Sequence, residues 1–277
     1  TAKDYFANQP LRVAARAAEI ALKASGFLSL ILMDYLRGAL FDPDQERQRA
    51  EQAARLLTSL GPTFIKVGQS LSIRTDLLRP AYVLGLTTLQ DKVPPFPTPR
   101  AIQLIEAELG CPVTEIFEGG IDPSLQVVAA ASLGQVYKLR LKGSGTDVAV
   151  KVQRPDIVQQ VALDMHILRS IAPIAKELAG LQSDLEGLCD DWGRGFVDEL
   201  DYRKEADNAA IFMESIASTP LAPVVFAPTA VPQASSRAVL TTEWVEGQRL
   251  ERATQDGVAA ICAIAMNTYL TMMLETG

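Results

Sequence analysis

The sequence has 277 residues, 48% hydrophobic and 21% charged, which is enough for one large domain or two modest ones with a buried core. Its 33 acidic residues outnumber its 26 basic residues, and the resulting net charge of −7 disfavours nucleic acid as a partner, because phosphate backbones attract basic surfaces. Three widely spaced cysteines and a single histidine, His166, disfavour a disulfide framework, a Cys/His zinc site and catalysis by a histidine base.

The first 60 residues predict helices. In the first half of the stretch 11–40 the charged residues recur three or four positions apart: they are Arg12, Arg16, Glu19 and Lys23. We expect this narrow polar stripe to face water while the remaining Ala, Ile and Leu side chains are buried. The alternative is an amphipathic helix that lies on a membrane or lipid surface. The uncharged run 24–33 is too short to span a bilayer, which needs about 20 apolar residues.

The next helix is predicted from the pair Asp42-Pro43, a good N-cap and first residue, to Leu60. Gly61-Pro62 ends that helix and begins another, which carries the pattern K-x-G-Q at Lys66, Gly68 and Gln69. Alone this pattern is weak, because a helical lysine is usually solvated and a helical glycine often serves close packing. A proline-rich run over 93–99 ends the helical part, and one more short helix is expected over 100–109.

Residues 125–153 predict a β-hairpin. Val136, Leu139 and Leu141 are expected on one face of the first strand, a Gly-Ser-Gly turn follows at 143–145, and the second strand spans 148–152. Small side chains precede the hairpin over 129–135. A small-residue loop, a strand, a turn and a strand with a lysine form the layout of a kinase phosphate site. Lys151 lies in an apolar run, so we expect it to be buried and to be paired or bound to an anion.

Such a lysine needs a carboxylate on a following helix. Helical periodicity extends over 157–179 and 185–216, and the second stretch contains several candidate acids. Short β-like pieces are predicted at 224–226 and 238–245, followed by Gly247. A strand that runs into a glycine-ended connector is where a kinase hinge would present backbone groups to adenine, although the same strand also suits a plain sheet core.

Five sequence motifs, taken in order, resemble the UbiB family of atypical kinases, also called aarF-domain or ADCK-type proteins. The motifs are LGPTFIKVGQ at 60–69, LQDKVPP at 89–95, AAASLGQVY at 129–137, VAVKVQRP at 148–155 and ELDY at 199–202. The resemblance covers roughly residues 50–277 and is greatest to plastid and cyanobacterial members. It implies an α+β fold: a kinase-like N-lobe with a small antiparallel sheet and an αC-type helix, an N-terminal helical extension, and the beginning of a helical C-lobe.

The resemblance also assigns roles to individual residues. Lys151 is similar to the nucleotide-phosphate lysine, with Glu205 as its partner on the αC helix. The nucleotide-binding set would further include Ala129, Ala130, Ala131 and Ser132 in place of a glycine-rich loop, and Glu243 and Val245 at the hinge. Alanines there imply a stiffer loop, because they disfavour positive φ. The regulatory set would be Lys66, Gly68 and Gln69, in a helix that folds over the nucleotide pocket, with Glu199 and Asp201 of an E-x-D motif holding Lys66.

Helical geometry limits that last assignment. At about 100° per residue, Glu199 and Asp201 point about 200° apart, so both cannot face Lys66 from one regular helix. We expect either an irregular helix at 199–201 or a different partner for one of the two carboxylates. In contrast, Asp201 and Glu205 would be neighbours.

The resemblance divides the chain into four segments. A helical segment that is a possible membrane-surface element occupies 1–60, and the family-specific extension with K-x-G-Q occupies 61–122. The kinase-like N-lobe with inserted helices and hinge occupies 123–247, and 248–277 begins a C-lobe. The catalytic-loop and metal-binding residues of a kinase would lie beyond Gly277, so we expect a truncated chain without phosphate transfer and without metal ligands of its own.

The expected function is ATP or ADP binding by an atypical kinase-like protein, with Mg²⁺ only where the missing C-lobe residues are present. The parent protein would be a phosphotransferase or ATPase that supports prenylquinone metabolism. The alternative is a non-catalytic pseudokinase scaffold or a lipid or nucleotide sensor. An all-helical adaptor would require Lys151 to be unpaired or solvent-facing. Expected partners are a nucleotide, a membrane or lipid surface, and lipid-biosynthesis proteins, but no nucleic acid. The expected location is the chloroplast (plastoglobule or thylakoid surface) or its cyanobacterial equivalent, with the mitochondrial inner membrane as the alternative.

Overall fold

The fold is α+β, as predicted. A computed structural model describes residues 6, 8–90, 93–122, 124–180, 183–248 and 255–276. Asp91 and Lys92 of the second motif, and residues 249–254 at the start of the predicted C-lobe, lie outside the described residues. The chain forms two compact units. The first comprises Thr1–Pro97, Val127–Gln135 and Gln153–Leu200, and the second comprises Thr98–Gln126, Val136–Val152 and Asp201–Gly277.

The described part of the chain consists of helices and one small four-stranded sheet. The helices are α1 (Pro10–Leu36), α2 (Pro43–Leu60), α3 (Pro62–Leu71), α4 (Pro80–Thr87), α5 (Thr98–Leu109), α6 (Val113–Ile116), α7 (Ile157–Ala179), α8 (Leu185–Asp198), α9 (Tyr202–Ala217) and α10 (Gln255–Thr271). The strands are β1 (Ala129–Ala130), β2 (Gly134–Arg140), β3 (Asp147–Gln153) and β4 (Val239–Glu243). The sheet order is β1-β2-β3-β4.

Local signals place the ends of α2 as predicted. The Asp42 carboxylate caps the helix by accepting hydrogen bonds from the backbone N–H groups of Asp44 and Gln45. Pro43 occupies the first turn, where its missing N–H costs nothing. Gly61 has φ of 103°, a left-handed conformation that favours glycine, and there α2 ends and α3 begins.

The polar stripe of α1 faces water only in part, which corrects the sequence-based expectation: Arg12, Glu19 and Lys23 are exposed, but the Arg16 side chain is only 13% exposed. Arg16 reaches the fully buried carboxylate of Asp164 on α7 (Nε to Oδ1, 2.8 Å), and Lys23 donates to the carbonyl of Ser59.

A second, apolar face of the helix, about 120° from the charges at 100° per residue, is exposed as well. Its leucines, 57–85% exposed, are Leu11, Leu22, Leu32 and Leu36. The buried acceptor Asp164 holds Arg16 against the fold, so this apolar face is left outside, while Val13, Ala17 and Ile20 on another face pack against Leu163 and Ile167 as expected.

The hairpin exists as predicted, but its two faces needed correction. On β3 the buried valines are Val148, Val150 and Val152, whereas Lys151 lies on the other face and its side chain is 33% exposed. The apolar run therefore did not make Lys151 fully buried, because alternate residues of a strand point to opposite faces. On β2 the same alternation puts Val136 with Lys138 rather than with Leu139.

Two further expectations were wrong. The predicted helix over 185–216 is two helices, since α8 ends at Asp198 and α9 begins at Tyr202. Residues 224–226 form no strand.

The helical segment Gly257–Glu275 is long and apolar enough to cross a membrane, with a mean hydropathy of 1.6, and none of it is buried. The core helix of a soluble protein can have the same length and composition, so these two properties decide nothing about a membrane.

Candidate functional site

Lys151 and Glu205 meet in the second unit. The Lys151 ammonium lies 2.8 and 2.6 Å from the two carboxylate oxygens of Glu205, which confirms the predicted pairing. The ammonium also lies 4.5 Å from the ring centre of Tyr202, a buried residue in the first turn of α9. This pairing contradicts the all-helical adaptor, which required Lys151 to be unpaired or solvent-facing.

A cavity of about 220 Å³ adjoins this ion pair. Lys151 and Glu205 line it together with small or apolar side chains from three strands and α9: Val136, Ala149, Leu240, Ala206 and Ala209. In the antiparallel pairing of β3 with β4, Lys151 lies opposite Leu240 and Ala149 lies opposite Thr242. The cavity therefore combines apolar walls with one ammonium–carboxylate pair.

The predicted hinge residues lie at the end of β4, where Glu243 is the last residue of the strand and Val245 comes two residues later. The Glu243 N–H donates to the carbonyl of Thr229 at 3.0 Å, and the Thr229 N–H donates to the Glu243 carboxylate at 3.2 Å. Val245 is 40% exposed, and neither hinge residue lines the cavity. A side-chain cluster fixes the connector, since Lys138 contacts Glu246 at 3.0 Å and lies 4.6 Å from the ring centre of Trp244. Sequence reasoning missed this cluster, because its members are about 100 residues apart.

The alanine-rich loop belongs to the first unit. Ala129 and Ala131 are exposed and Ala130 is half-buried, but Ser132 is 5% exposed. Arg154 holds the loop by donating to the carbonyls of Ala131 and Ser132 and, at 2.6 Å, to that of Pro94. Burial lowers the pKa of Arg154. The motif alone indicates no role for Arg154, whereas its contacts with three backbone carbonyls, one of them from the buried Ser132, show that it fixes this loop.

Lys66 and Glu199 form an ion pair in the first unit. The Lys66 ammonium lies 2.5 Å from the Glu199 carboxylate at the C-terminal end of α8. Asp201 does not share this contact. It caps α9 and binds Arg203 through two contacts of 2.9 and 2.6 Å. Both alternatives expected from helix geometry hold: the helix is interrupted at 199–201, and one carboxylate has another cation.

Gly68 and Gln69 of the K-x-G-Q pattern contact the short 3₁₀ helix Thr88–Gln90. The Gln69 amide donates to the carbonyl of Leu89 at 3.0 Å. A Cβ on Gly68 would lie 2.3 Å from Leu89 Cδ1 and 2.8 Å from Leu57 Cδ1. The glycine therefore permits the close approach of α3 to its neighbours.

We predict that Gly68→Ala destabilises the protein by about 1–3 kcal/mol, because two leucine side chains must move to admit the methyl group. Gly26→Ala on α1 is the matched control. A Cβ there meets nothing within 4 Å, so this variant should be more stable by up to about 1 kcal/mol. Urea unfolding measures both, and equal gains for the two variants would contradict the packing role.

Asp201 gives a pH-dependent prediction. Hydrogen bonding to Arg203 lowers the pKa of Asp201 from 3.8 to about 2. A depressed carboxyl pKa stabilises the fold above the unfolded pKa, and this stabilisation disappears as the pH falls from about 4 to about 2. Because Arg203 is 63% exposed, we expect only about 1 kcal/mol relative to Asp201→Asn, which keeps a capping oxygen. Urea unfolding at pH 6 and pH 2.5 tests this, and a difference independent of pH would refute it.

Comparison with known proteins agrees with this geometry. The sequence profile described as ABC1 atypical kinase-like domain matches residues 88–277. This chain belongs to the ABC1 atypical kinase-like family. An uncharacterized Synechocystis protein is 41% identical over 280 residues, which cover 99% of this chain and 40% of that protein. An Arabidopsis thaliana aarF domain-containing protein kinase, chloroplastic, is 41% identical over 246 residues, 88% of this chain and 34% of that protein.

A third relative of this ABC1 chain is the Arabidopsis protein ACTIVITY OF BC1 COMPLEX KINASE 1, chloroplastic, 37% identical over 259 residues, 93% of this chain and 36% of that protein. The chain spans between about a third and a half of the length of these relatives. The family confirms a kinase-like protein, and the relatives support a chloroplast or cyanobacterial origin. Among the described residues no cluster of three His, Cys, Asp or Glu side chains suits a metal ion, so we assign no metal ligand.

Proposed function

We propose that the second unit binds an adenine nucleotide, ATP or ADP, and that Lys151 contacts a phosphate oxygen. The observation that carries this proposal is the Lys151–Glu205 pair at the cavity. An ammonium has three N–H groups, and two contacts to Glu205 leave a third for a ligand oxygen. A volume of about 220 Å³ suits the base rather than a whole nucleotide, so the phosphates would extend past Lys151.

A pair of Ala→Leu variants on α9 tests this proposal. Ala209 lines the cavity, whereas Ala210 is exposed next to it on the same helix. Isothermal titration with MgADP and MgATP should show saturable binding, which Ala209→Leu weakens by about tenfold or more by filling the cavity. Ala210→Leu should bind as the unmodified protein does. Absence of binding at millimolar nucleotide, or equal losses in both variants, would overturn the proposal.

For the whole protein we propose an ATP-dependent phosphotransferase or ATPase that supports prenylquinone metabolism at a plastid or cyanobacterial membrane. The family resemblance supports this, with ATP as the phosphate source and Lys151 and Glu205 as the groups that orient it. A pseudokinase scaffold or sensor shares the binding step but transfers no phosphate. An assay of γ-phosphate release or transfer distinguishes the two. The enzyme should show an activity that the Lys151→Met variant loses, whereas the sensor should show none.

The exposed face of α1 favours attachment to a membrane surface as a second function. Four leucines lie within an arc of about 80° at 100° per residue, and the charges of the first half of the helix lie on another side. Exposed apolar patches of this kind mark interaction surfaces, and an amphipathic helix buries its apolar face at the headgroup boundary. We propose that α1 lies on a lipid surface in this way.

Vesicle flotation tests the attachment. The protein should float with vesicles of phosphatidylcholine and phosphatidylglycerol, and the double variant Leu22→Asp/Leu36→Asp should remain at the bottom, since each charge opposes burial in the interface. Val224→Asp, at an exposed position of the second unit, is the control and should float. Equal flotation of the double variant would refute a role for α1.

A further inference from the structure

The end of α5 meets the loop that enters β4, and both belong to the second unit. We call residues 236–238 the entry loop. The Glu108 Oε2 atom on α5 accepts a hydrogen bond from the Ser236 hydroxyl at 2.8 Å and another from the Ala238 N–H at 3.3 Å. Glu108 is half-buried and Ala238 is 3% exposed. One carboxylate oxygen therefore joins the two residues that flank Arg237 in the chain.

The entry loop is also held by its own backbone. The Ser236 N–H donates to the Val239 carbonyl at 2.7 Å, and the Val239 N–H donates to the Ser236 hydroxyl oxygen at 3.2 Å. Val239 is the first residue of β4 and is fully buried. The next residue, Leu240, lies opposite Lys151 in the sheet and lines the cavity. The loop that Glu108 holds thus leads directly into the cavity wall.

The Arg237 carbonyl holds the start of α9. It accepts a 3.0 Å hydrogen bond from the N–H of Tyr202, the first residue of that helix. The first N–H groups of a helix have no partner within the helix, so an outside carbonyl here helps to fix where α9 begins. The Tyr202 ring and the Glu205 carboxylate both face the Lys151 ammonium. A displaced entry loop would therefore disturb both of these contacts.

We propose that Glu108 is a positioning residue for Lys151: through the entry loop it fixes the start of α9, and with it the Glu205 carboxylate that holds the ammonium. Glu108 does not itself line the cavity. Its effect on a ligand therefore passes through Glu205 and Lys151. The expected consequence for nucleotide affinity rests on the proposed function, in which Lys151 contacts a phosphate oxygen.

Hydrogen bonding and charge are two routes from Glu108 to α9, and a conservative variant separates them. Asp201, and more weakly Asp207 and Glu108, raise the pKa of Arg203 in the first turn of α9. Arg203 is 63% exposed, so solvent weakens this charge effect. Both hydrogen bonds from the entry loop end on one oxygen atom, which the carbonyl of glutamine can replace. Glu108→Gln therefore keeps the hydrogen bonds and removes the charge, whereas Glu108→Ala removes both.

Glu106→Ala is the matched control. Glu106 lies on the same helix as Glu108, is also half-buried, and also accepts a backbone hydrogen bond. Its donor is the Val113 N–H, at 3.1 Å, in the first turn of α6 rather than in the entry loop. A loss of stability common to both alanine variants is therefore a general effect of removing a carboxylate from α5.

Hydrogen exchange over residues 201–206 tests the structural step without nucleotide. We expect the Tyr202 amide to exchange about tenfold faster in Glu108→Ala, because the Arg237 carbonyl is no longer held, and at the unmodified rate in Glu108→Gln and Glu106→Ala. If Glu108→Ala does not fold, Ser236→Ala removes one hydroxyl group and should accelerate the same amide. Equal exchange in the variants of the entry-loop contact and in Glu106→Ala would overturn the proposal.

Isothermal titration with MgADP tests the effect on the site. Glu108→Ala should bind about threefold more weakly, whereas Glu108→Gln and Glu106→Ala should bind as the unmodified protein does. In a Lys151→Met background, Glu108→Ala should cause no further loss, because its effect passes through that ammonium. A further loss there, or a loss in Glu108→Gln equal to that in Glu108→Ala, would overturn the proposal. Absence of binding by the unmodified protein would refute the proposed function, and the exchange result would then decide whether Glu108 positions α9.

Discussion

Replacement of Lys151 by methionine is expected to weaken MgADP binding by about tenfold or more. A hydrogen bond to a charged group contributes about 1.5–3 kcal/mol, and methionine keeps the apolar stem of the side chain but loses the ammonium. The variant should remain folded, since Lys151 and Glu205 are 33% and 48% exposed and such pairs add at most about 1 kcal/mol to stability. Isothermal titration and thermal unfolding measure the two effects separately.

Lys142→Met is the control for this loss. Lys142 is an exposed lysine that follows β2, and its ammonium donates to the carbonyl of Thr114 rather than lining the cavity. We expect its nucleotide affinity to equal that of the unmodified protein. Glu205→Gln should show a smaller loss than Lys151→Met, because the ammonium remains but loses the carboxylate that positions it. Unchanged affinity in Lys151→Met would exclude Lys151 as the phosphate-binding group.

Asp164→Ala should lower the free energy of unfolding by about 3–5 kcal/mol, the largest effect on stability expected from a single change. The Asp164 carboxylate is fully buried and accepts two hydrogen bonds from Arg16, whose side chain is 13% exposed. Without its partner the guanidinium is a nearly buried charge with the Leu60 carbonyl and Glu19 as its remaining contacts. Removal of one partner of such a pair costs more than the pair itself contributes.

Two further variants separate this effect from a general loss of charge. Asp191→Ala removes an ion pair with Arg194 whose side chains are 68% and 73% exposed, and should cost less than about 1 kcal/mol. The double variant Arg16→Met/Asp164→Leu removes both charges and should recover much of the loss. Urea unfolding measures the free energy of unfolding of all three variants, provided that its slope against urea concentration is the same for each. A loss in Asp164→Ala no larger than in Asp191→Ala would show that the buried pair does not hold α1.

Local chemistry made much of the fold predictable. Asp42, Pro43 and Gly61 fixed α2, because caps, prolines and left-handed glycines act through neighbouring backbone groups. The hairpin followed from strand alternation and the Gly-Ser-Gly turn at 143–145, and the bounds of α7 followed from helical periodicity. The Lys151–Glu205 contact spans 54 residues and came from family resemblance, and the geometry then confirmed it.

The sequence-based predictions were wrong where contacts with residues distant in sequence determine the orientation or the end of a helix. A charged stripe predicts a solvent-exposed helix face only if no buried acceptor on another element binds its charges. Asp164 on α7 is such an acceptor for Arg16. Likewise, periodicity runs through 199–201, but capping by Asp201 divides α8 from α9. The Arg154 contacts with loop carbonyls involve residues that share no sequence pattern. Such partners become visible only in three dimensions.

The interruption before α9 determines which side chain reaches Lys151. Because Asp201 fixes the first residue of the helix as Tyr202, Glu205 stands one turn in, at the angle that faces the ammonium. Insertion of one alanine between Asp201 and Glu205 would turn every later side chain by about 100° and bring a neighbour of Glu205 to that position. The Asp201 carboxylate binds Arg203 rather than Lys151, yet it sets the rotational phase of the helix that brings Glu205 to Lys151.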